Sequence, residues 1–396
     1  MKDDKGHKDK DNKRDKDNRD NKDDHATPKP TPTPVPVVPV IIPHAVPVAV
    51  VPHVDHHTVP CHLNPKILFV LKKRSSYGIS YGLINSCQFV AKALEKHGIV
   101  SEIAQVIDNN CIDRAIAKFK PTHVIIEALW VVPSKFPVLM SLHPHVKFLV
   151  RVHSQVPFLG YEGMAFEWIK EYRKLELEGK GPSLMVNSEK LAFALHQSIN
   201  IPSILAPNIY EFQTTRNIAR PSHDKEVNIG CFGAIRPFKN HLNQAMAALL
   251  FAKRKGLKLN FYINSSRFEH HGEAILKNLR HIFKGIKHRL LEQEWSTHPD
   301  FIKLARKMNL GLQVSYTETF NIVAADLVST NIPVVGSPEI DWMHSWFQAD
   351  PNDIEDIADK LDFAYDWSFL NLHRLNEFGL NKHNKLAIQA WLDFLY

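Results

Sequence analysis

What restricts the fold of this chain most is an alternation, run through twice, of strand-length apolar segments with helical ones. The first series begins abruptly at Lys66-Ile-Leu-Phe-Val-Leu71, a continuous apolar run of the kind a strand buried on both faces requires. A helical pattern follows through Phe89, Ala93 and Leu94 to a stop at Gly98. Val100–Val106, His123–Leu129, Val146–Val152, Ser183–Asn187 and Ser203–Ala206 read as further strands, with helices over Asp113–Phe119 and about Lys190–Gln197. From Tyr210 to about Glu226 the chain is polar and irregular, as a linker between domains is. The second series has strands at Val227–Phe232, Leu259–Ile263, Leu310–Ser315 and Ile332–Val335. Its helices are Asn240–Gly256, about Asn321–Ser329, and an amphipathic final one over Leu380–Leu395. Strands alternating with helices build parallel sheets from βαβ units. The expectation is an α/β chain with two Rossmann-like domains facing across a cleft, residues 63–210 and 211–396. The last helix is in a position to pack back on the first domain. A length of 396 residues fits two domains of ~100–200 residues each.

Residues 1–62 belong to neither series. Within 1–24, seven Lys and two Arg stand against nine Asp, so this polyampholyte sums to zero and is too polar to fold. From Thr27 to Pro60, Pro alternates with Thr, Val and His, which favours extended polyproline II. A disordered tail and semi-rigid spacer, whose partner the sequence does not name, is the expectation. The net charge of +7 therefore sits in the rest of the chain, where an anionic ligand as small as a nucleotide diphosphate accounts for it. Four scattered cysteines (Cys61, Cys87, Cys111, Cys231) form no C-x-x-C pair and suit a reducing compartment. The apolar run Val35–Val51 is broken by four prolines and cannot sustain a spanning helix, and the charged N-terminus lacks a signal peptide's apolar region. The chain reads as cytoplasmic. His53, His56, His57, Cys61 and His62 lie close together but match no standard zinc spacing, and Glu269-His270-His271 lacks the H-E-x-x-H pattern. Both read as non-functional, the latter as surface loop.

Four segments carry candidate chemistry. In Tyr316-Thr-Glu318-Thr319-Phe320-Asn321-Ile322, a strand ends before Glu318 and a helix starts after it. The N–H groups of Thr319 to Ile322 then form an anion-binding helix N-terminus. Asp326 lies eight positions after Glu318, about two turns on along roughly the same face. In Gly230-Cys-Phe-Gly233-Ala-Ile-Arg236-Pro-Phe-Lys239-Asn240, a glycine turn with two cations follows the first strand of the second series, a place suited to a diphosphate. The loop Lys72–Gly82 carries Gly78 and Gly82, which permit close backbone approach to a ligand. It is not the G-x-G-x-x-G fingerprint of dinucleotide enzymes. His153, in Arg151-Val-His153, ends a strand at the sheet edge where open α/β folds bind ligands.

Together these segments resemble the donor site of retaining GT-B glycosyltransferases, the large family 4 above all. Its signature is E-x7-E ahead of a G-x-P-V-V strand. Glu318 falls on the first acidic position, Asp326 on the second, and Asn331-Ile-Pro333-Val-Val335 on the strand. Asp replaces the second Glu, and Thr319 and Asn321 replace the usual glycines. Gly233-Ala-Ile-Arg236-Pro-Phe-Lys239-Asn240 is similar to the family's Arg/Lys pair, with the two cations three positions apart instead of five. The resemblance is strong around 229–241 and 313–336 and implies a GT-B fold and transfer of a sugar, with retention, from a nucleotide-diphosphate sugar. It implies Lys239 and Arg236 on the leaving diphosphate, Glu318 on the sugar, Asp326 on the ribose and His153 on donor or acceptor. Gly233, Gly78, Gly82 and Thr319–Ile322 would complete the donor site. No metal or cofactor is expected, since the cations neutralise the diphosphate. The acceptor, whether glycan, protein or DNA, is not legible. A sugar-nucleotide epimerase or inverting transferase on the same scaffold, and a non-catalytic sugar- or nucleotide-binding protein anchored by its tail, are the rival readings.

Overall fold

The first apolar run forms β1 (Lys66–Lys72), whose Ile67, Leu68, Phe69 and Val70 are wholly buried because helices cover both faces of its sheet. The computed structural model describes residues 64–73, 81–212 and 225–396. The expected tail 1–62, its His/Cys cluster, Gly78 and most of the expected linker lie outside the described residues.

After β1 come α1 (Tyr81–Glu95), β2 (Val100–Val106), α2 (Ile112–Phe119), β3 (His123–Glu127), α3 (Lys135–Leu142) and β4 (Lys147–Val152). Next are α4 (Val156–Leu159), α5 (Ala165–Leu177), β5 (Ser183–Val186), α6 (Glu189–Ile199) and β6 (Ile204–Leu205). Every pairing is parallel and the strand order is β2-β1-β3-β4-β5-β6. The chain direction across the sheet reverses between β1 and β3, so their carboxyl ends, with that of β4, open onto a crevice.

The second sheet holds β7 (Glu226–Gly230), β8 (Lys258–Asn264), β9 (Arg289–Gln293), β10 (Leu310–Gln313) and β11 (Val334–Gly336), again all parallel, in the order β11-β10-β7-β8-β9. Its helices are α7 (His241–Lys255), α8 (Gly272–Ile282), α9 (His298–Ala305), α10 (Ile322–Ser329) and α11 (Ile354–Asp366). Here the order reverses between β7 and β10, which places the two chemistry-bearing loops, 231–240 and 314–321, side by side. Local signals set the ends: Gly256, at φ 67°, closes α7 in the left-handed conformation, and the Asp353 side chain accepts from the N–H groups of Glu355 and Asp356 to start α11. Helices α3, α4, α5, α8, α9 and α11, and the half-exposed strand β9, are additional to the elements expected from the sequence. β7 is shorter than its apolar run, because Cys231 and Phe232 continue as buried loop.

The final helix, α12 (Arg374–Leu395), touches both sheets. Near its start, the Asn376 amide donates to the Val334 carbonyl at 3.2 Å. Near its end, Trp391 is fully buried, edge-on to Phe69 with centroids 6.0 Å apart, and donates to the Pro207 carbonyl. No helix among the described residues is long and apolar enough to cross a membrane.

Candidate functional site

A cleft of about 640 Å³ runs along the carboxyl ends of the strands, lined from one side by Gly82, Glu127 and His153 and from the other by Arg236, Lys239 and Glu318. A smaller pocket of about 200 Å³ opens beside it, lined by Gly82, Gly233, Arg236, Lys239, Arg267, Trp295, His298, Ile322 and Asp326 among others. Apart from Gly78, every residue singled out from the sequence lines one or both.

At the centre, Lys239 Nζ donates to Glu318 Oε1 at 2.5 Å, with both side chains about nine-tenths covered. Lys239 closes a one-turn helix after β7 that Pro237 starts, and Glu318 sits in the loop after β10. Adjacent strands thus bring together charges 79 positions apart. The Asn321 amide donates to the same Glu318 oxygen and to Gln313, while its own oxygen accepts from the Ala324 N–H. Asn321 stands at φ 60°, a left-handed value that asparagine tolerates, and α10 therefore begins at Ile322. The first N–H groups of α10 have no acceptor within the helix, and Ile322 and Val323 line both cavities. Gly233 has φ 123°, a conformation that L side chains rarely adopt, and its N–H donates to Asn264.

Arg236, expected on the leaving diphosphate, lines both cavities and is paired within the protein. Its Nη1 donates to Glu269 at 2.9 Å, its guanidinium lies 4.6 Å over the Phe158 ring, and its Nε is buried without a hydrogen-bond partner. Glu269, read from sequence as surface loop, instead lies in the cleft and also accepts from Arg267. Burial opposes ionisation of Glu269, but the two guanidinium groups outweigh it and hold the carboxyl below its usual range. Two cations sharing one carboxylate, with an orphaned guanidinium N–H, leave the cavity wall positive and suited to an anion.

His153, expected on donor or acceptor, lines the cleft and has partners of its own. Its Nε2 is hydrogen-bonded to Glu127, which is completely buried and also faces Arg151, and its Nδ1 lies 3.4 Å from the Asn187 amide nitrogen. Burial, then the Arg151 charge, depress the imidazole against the pull of Glu127. A ligand hydroxyl reaching His153 has to take the place of Asn187. Phe320 turns its ring into the core beside Trp342, which caps its carbonyl, so only its backbone is available to a ligand. Thr319 joins the two halves: its hydroxyl donates to the His153 carbonyl and accepts from Asn187. Gln155 does the same, donating to the Glu318 carbonyl and to Ser188.

Sequence reasoning missed Arg267, Glu269, Glu127, His298 and Tyr210. Only the strand-end position of Glu127 offered a signal, since the others depend on contacts between elements. Among the described residues, no group of three or more His, Cys, Asp or Glu is placed to hold a metal ion.

No protein-family profile and no curated protein sequence matches the chain. Solved structures do. A glycosyltransferase from Rickettsia africae is 15% identical at a TM-score of 0.56, over 84% of this chain and 98% of that one. A trehalose-6-phosphate structure from E. coli, bound with UDP-2-fluoro glucose, is 12% identical at 0.59, over 83% and 98%. TarM of S. aureus, in complex with UDP and α-GlcNAc-glycerol, is 14% identical at 0.51, over 72% and 58%. Across nearly the whole described chain, then, the architecture is the GT-B fold that these structures share, two parallel-sheet lobes with the cleft between them.

Proposed function

We propose that the protein is a glycosyltransferase that moves a sugar from a nucleotide-diphosphate sugar to an acceptor, with retention of configuration. The observation that carries this reading is the Lys239–Glu318 pair at the sheet's reversal point, beside Arg236 and the start of α10. The arrangement supplies what departure of a diphosphate demands: Lys239, Arg236 and the α10 N–H groups face the charge that develops on the leaving oxygens. Preorganised stabilisation of that kind is commonly the largest catalytic contribution. Glu318 orients the sugar, Asp326 serves the ribose side, and the first lobe presents the acceptor. The guanidinium and ammonium groups do the work a divalent cation does elsewhere. UDP and UDP-2-fluoro glucose in the similar structures, and the study of one trehalose-6-phosphate synthase as a case of glycosyltransfer with retention, support the donor class and the stereochemistry.

The test is a thermal-shift screen of UDP-, GDP-, ADP- and TDP-sugars, followed by radiolabelled turnover of those that bind. A true donor raises the melting temperature by mass action. Turnover yields a glycosylated or hydrolysed product and falls by about 10²–10³ in Lys239→Ala and Glu318→Ala. Binding without any turnover favours a non-catalytic protein, and conversion of the donor into an isomer favours an epimerase.

A further inference from the structure

Asp326, the acidic residue assigned to the ribose, does not face its pocket alone. It is 3% exposed, and its Oδ1 accepts from the Tyr210 hydroxyl at 2.8 Å and lies 2.7 Å from His298 Nε2. Tyr210 also bonds Ser329 on the same helix, which fixes the carboxyl from behind. Aspartate is one methylene shorter than the glutamate of the resembled signature, so its carboxyl stands further back from the cavity. His298 is the more open of the two, its side chain 18% exposed against 4%. It is the first residue of α9, placed there by Thr297, whose hydroxyl caps the helix, and its ring sits edge-on to Phe89 at 5.8 Å. It lines the same pocket as Arg236, Lys239 and Gly233. With Nε2 engaged by Asp326, Nδ1 has no hydrogen-bond partner among the described residues.

We infer that His298 is the residue that hydrogen-bonds the ribose hydroxyls of the nucleotide, with Asp326 and Tyr210 as positioning residues behind it. The inference rests on the nucleotide-sugar reading above. A neutral imidazole accepts a hydroxyl proton at Nδ1 and a protonated one donates there, so either charge state makes the contact. Asp326 fixes the ring plane, as a carboxylate partner does for a histidine bound to a metal. Burial disfavours the charged ring, but the Asp326 hydrogen bond and charge outweigh it and raise His298 above its ordinary value. Lys92 of α1 is the opposing charge.

Calorimetry on the full-length protein tests this with UDP, GDP, ADP and CDP, then with the 2′-deoxy and 3′-deoxy forms of whichever binds. Wild type should bind at least one deoxy form tenfold or more weakly. His298→Ala should bind the ribonucleotide as weakly as wild type binds that deoxy form, and discriminate no longer. Asp326→Asn, whose amide oxygen still accepts from Nε2, should keep the discrimination, and His298→Gln should recover part of it. The inference is overturned if wild type tolerates both deoxy forms, or if His298→Ala discriminates as wild type does while Asp326→Asn does not. Wild-type protein that binds none of the nucleotides instead overturns the nucleotide-sugar reading. Melting curves of each variant separate lost folding from lost contact, and His298→Gln decides where His298→Ala does not fold.

Discussion

Replacing Lys239 by methionine keeps the length of the side chain and deletes the charge that Glu318 faces at 2.5 Å. Only 8% of the Glu318 side chain and 11% of that of Lys239 are exposed, so water cannot fully take over. The carboxylate would retain the Asn321 amide at 3.2 Å. Breaking one side of a buried pair costs ~3–5 kcal/mol, and a site at a cleft edge belongs near the lower end, about 3 kcal/mol. With an unfolding entropy of roughly 2.1 cal/mol/K per residue over roughly 300 residues, that lowers the melting temperature by about 5 °C. Glu318→Gln should cost less, about 1–2 kcal/mol, because the longer lysine can turn its ammonium toward cleft water. The double variant, with no charge left to strand, should return to within about 1 kcal/mol of wild type. Nucleotide binding should separate the two single variants. Lys239→Met weakens nucleoside diphosphate at least tenfold, whereas Glu318→Gln strengthens it by freeing the ammonium from its competitor, even though turnover is lost. Urea titrations and calorimetry on the three variants supply the full cycle. If the two single effects simply add in the double variant, and nucleotide affinity ignores both, the pair is neither buried in the energetic sense nor part of a diphosphate site.

Backbone conformation predicts two changes of opposite sign. Gly233→Ala should destabilise by about 1–3 kcal/mol purely through φ 123°, since the new Cβ meets nothing closer than Lys239 Cε at 3.7 Å. Ala128→Gly should stabilise by about 1 kcal/mol by relieving φ 70° at the cleft edge, read as a rise in urea midpoint. His241 is buried with both ring nitrogens unpartnered, and burial, then Lys239 and Arg236, lower its pKa from 6.5 to about 3. A depressed folded-state value means that stability is complete above pH 6.5 and is lost as pH falls toward 3. At pH 5 the loss is about 2 kcal/mol. His241→Leu should remove that part of the acid limb, and an unchanged difference between the pH 7 and pH 5 urea midpoints in the variant would refute it. Glu269→Gln should cost about 2 kcal/mol by leaving the Arg236 and Arg267 guanidinium groups facing each other, visible as a lower melting temperature that added salt partly restores.

The alternation of apolar runs with helical segments was enough for ten of the eleven strands among the described residues, because a strand covered on both faces must be apolar throughout, as Ile67–Val70 is. The half-exposed β9 has no such run. The alternation was also enough for the loops at β7 and β10, since a strand, a turn and a helix start fix where a loop lies on a sheet edge. Lys239 and Glu318 were legible for that reason. The amphipathic helices α8 and α9 were missed although their apolar positions recur at helical spacing and Thr297 caps α9. What only the tertiary structure decided is which charges meet. The sequence shows Arg236 as a cation after β7 but not its partner Glu269, 33 positions on. It shows His153 at a strand end but not Glu127 and Asn187 against its ring. It shows Asp326 in the helix but not Tyr210, 116 residues before it, or His298, 28 before it. The physical reason is range: a local turn and the apolar run of a buried strand are written in neighbouring residues, whereas a polar side chain's burial and electrostatic partner are set by the packing of elements that the local pattern does not order.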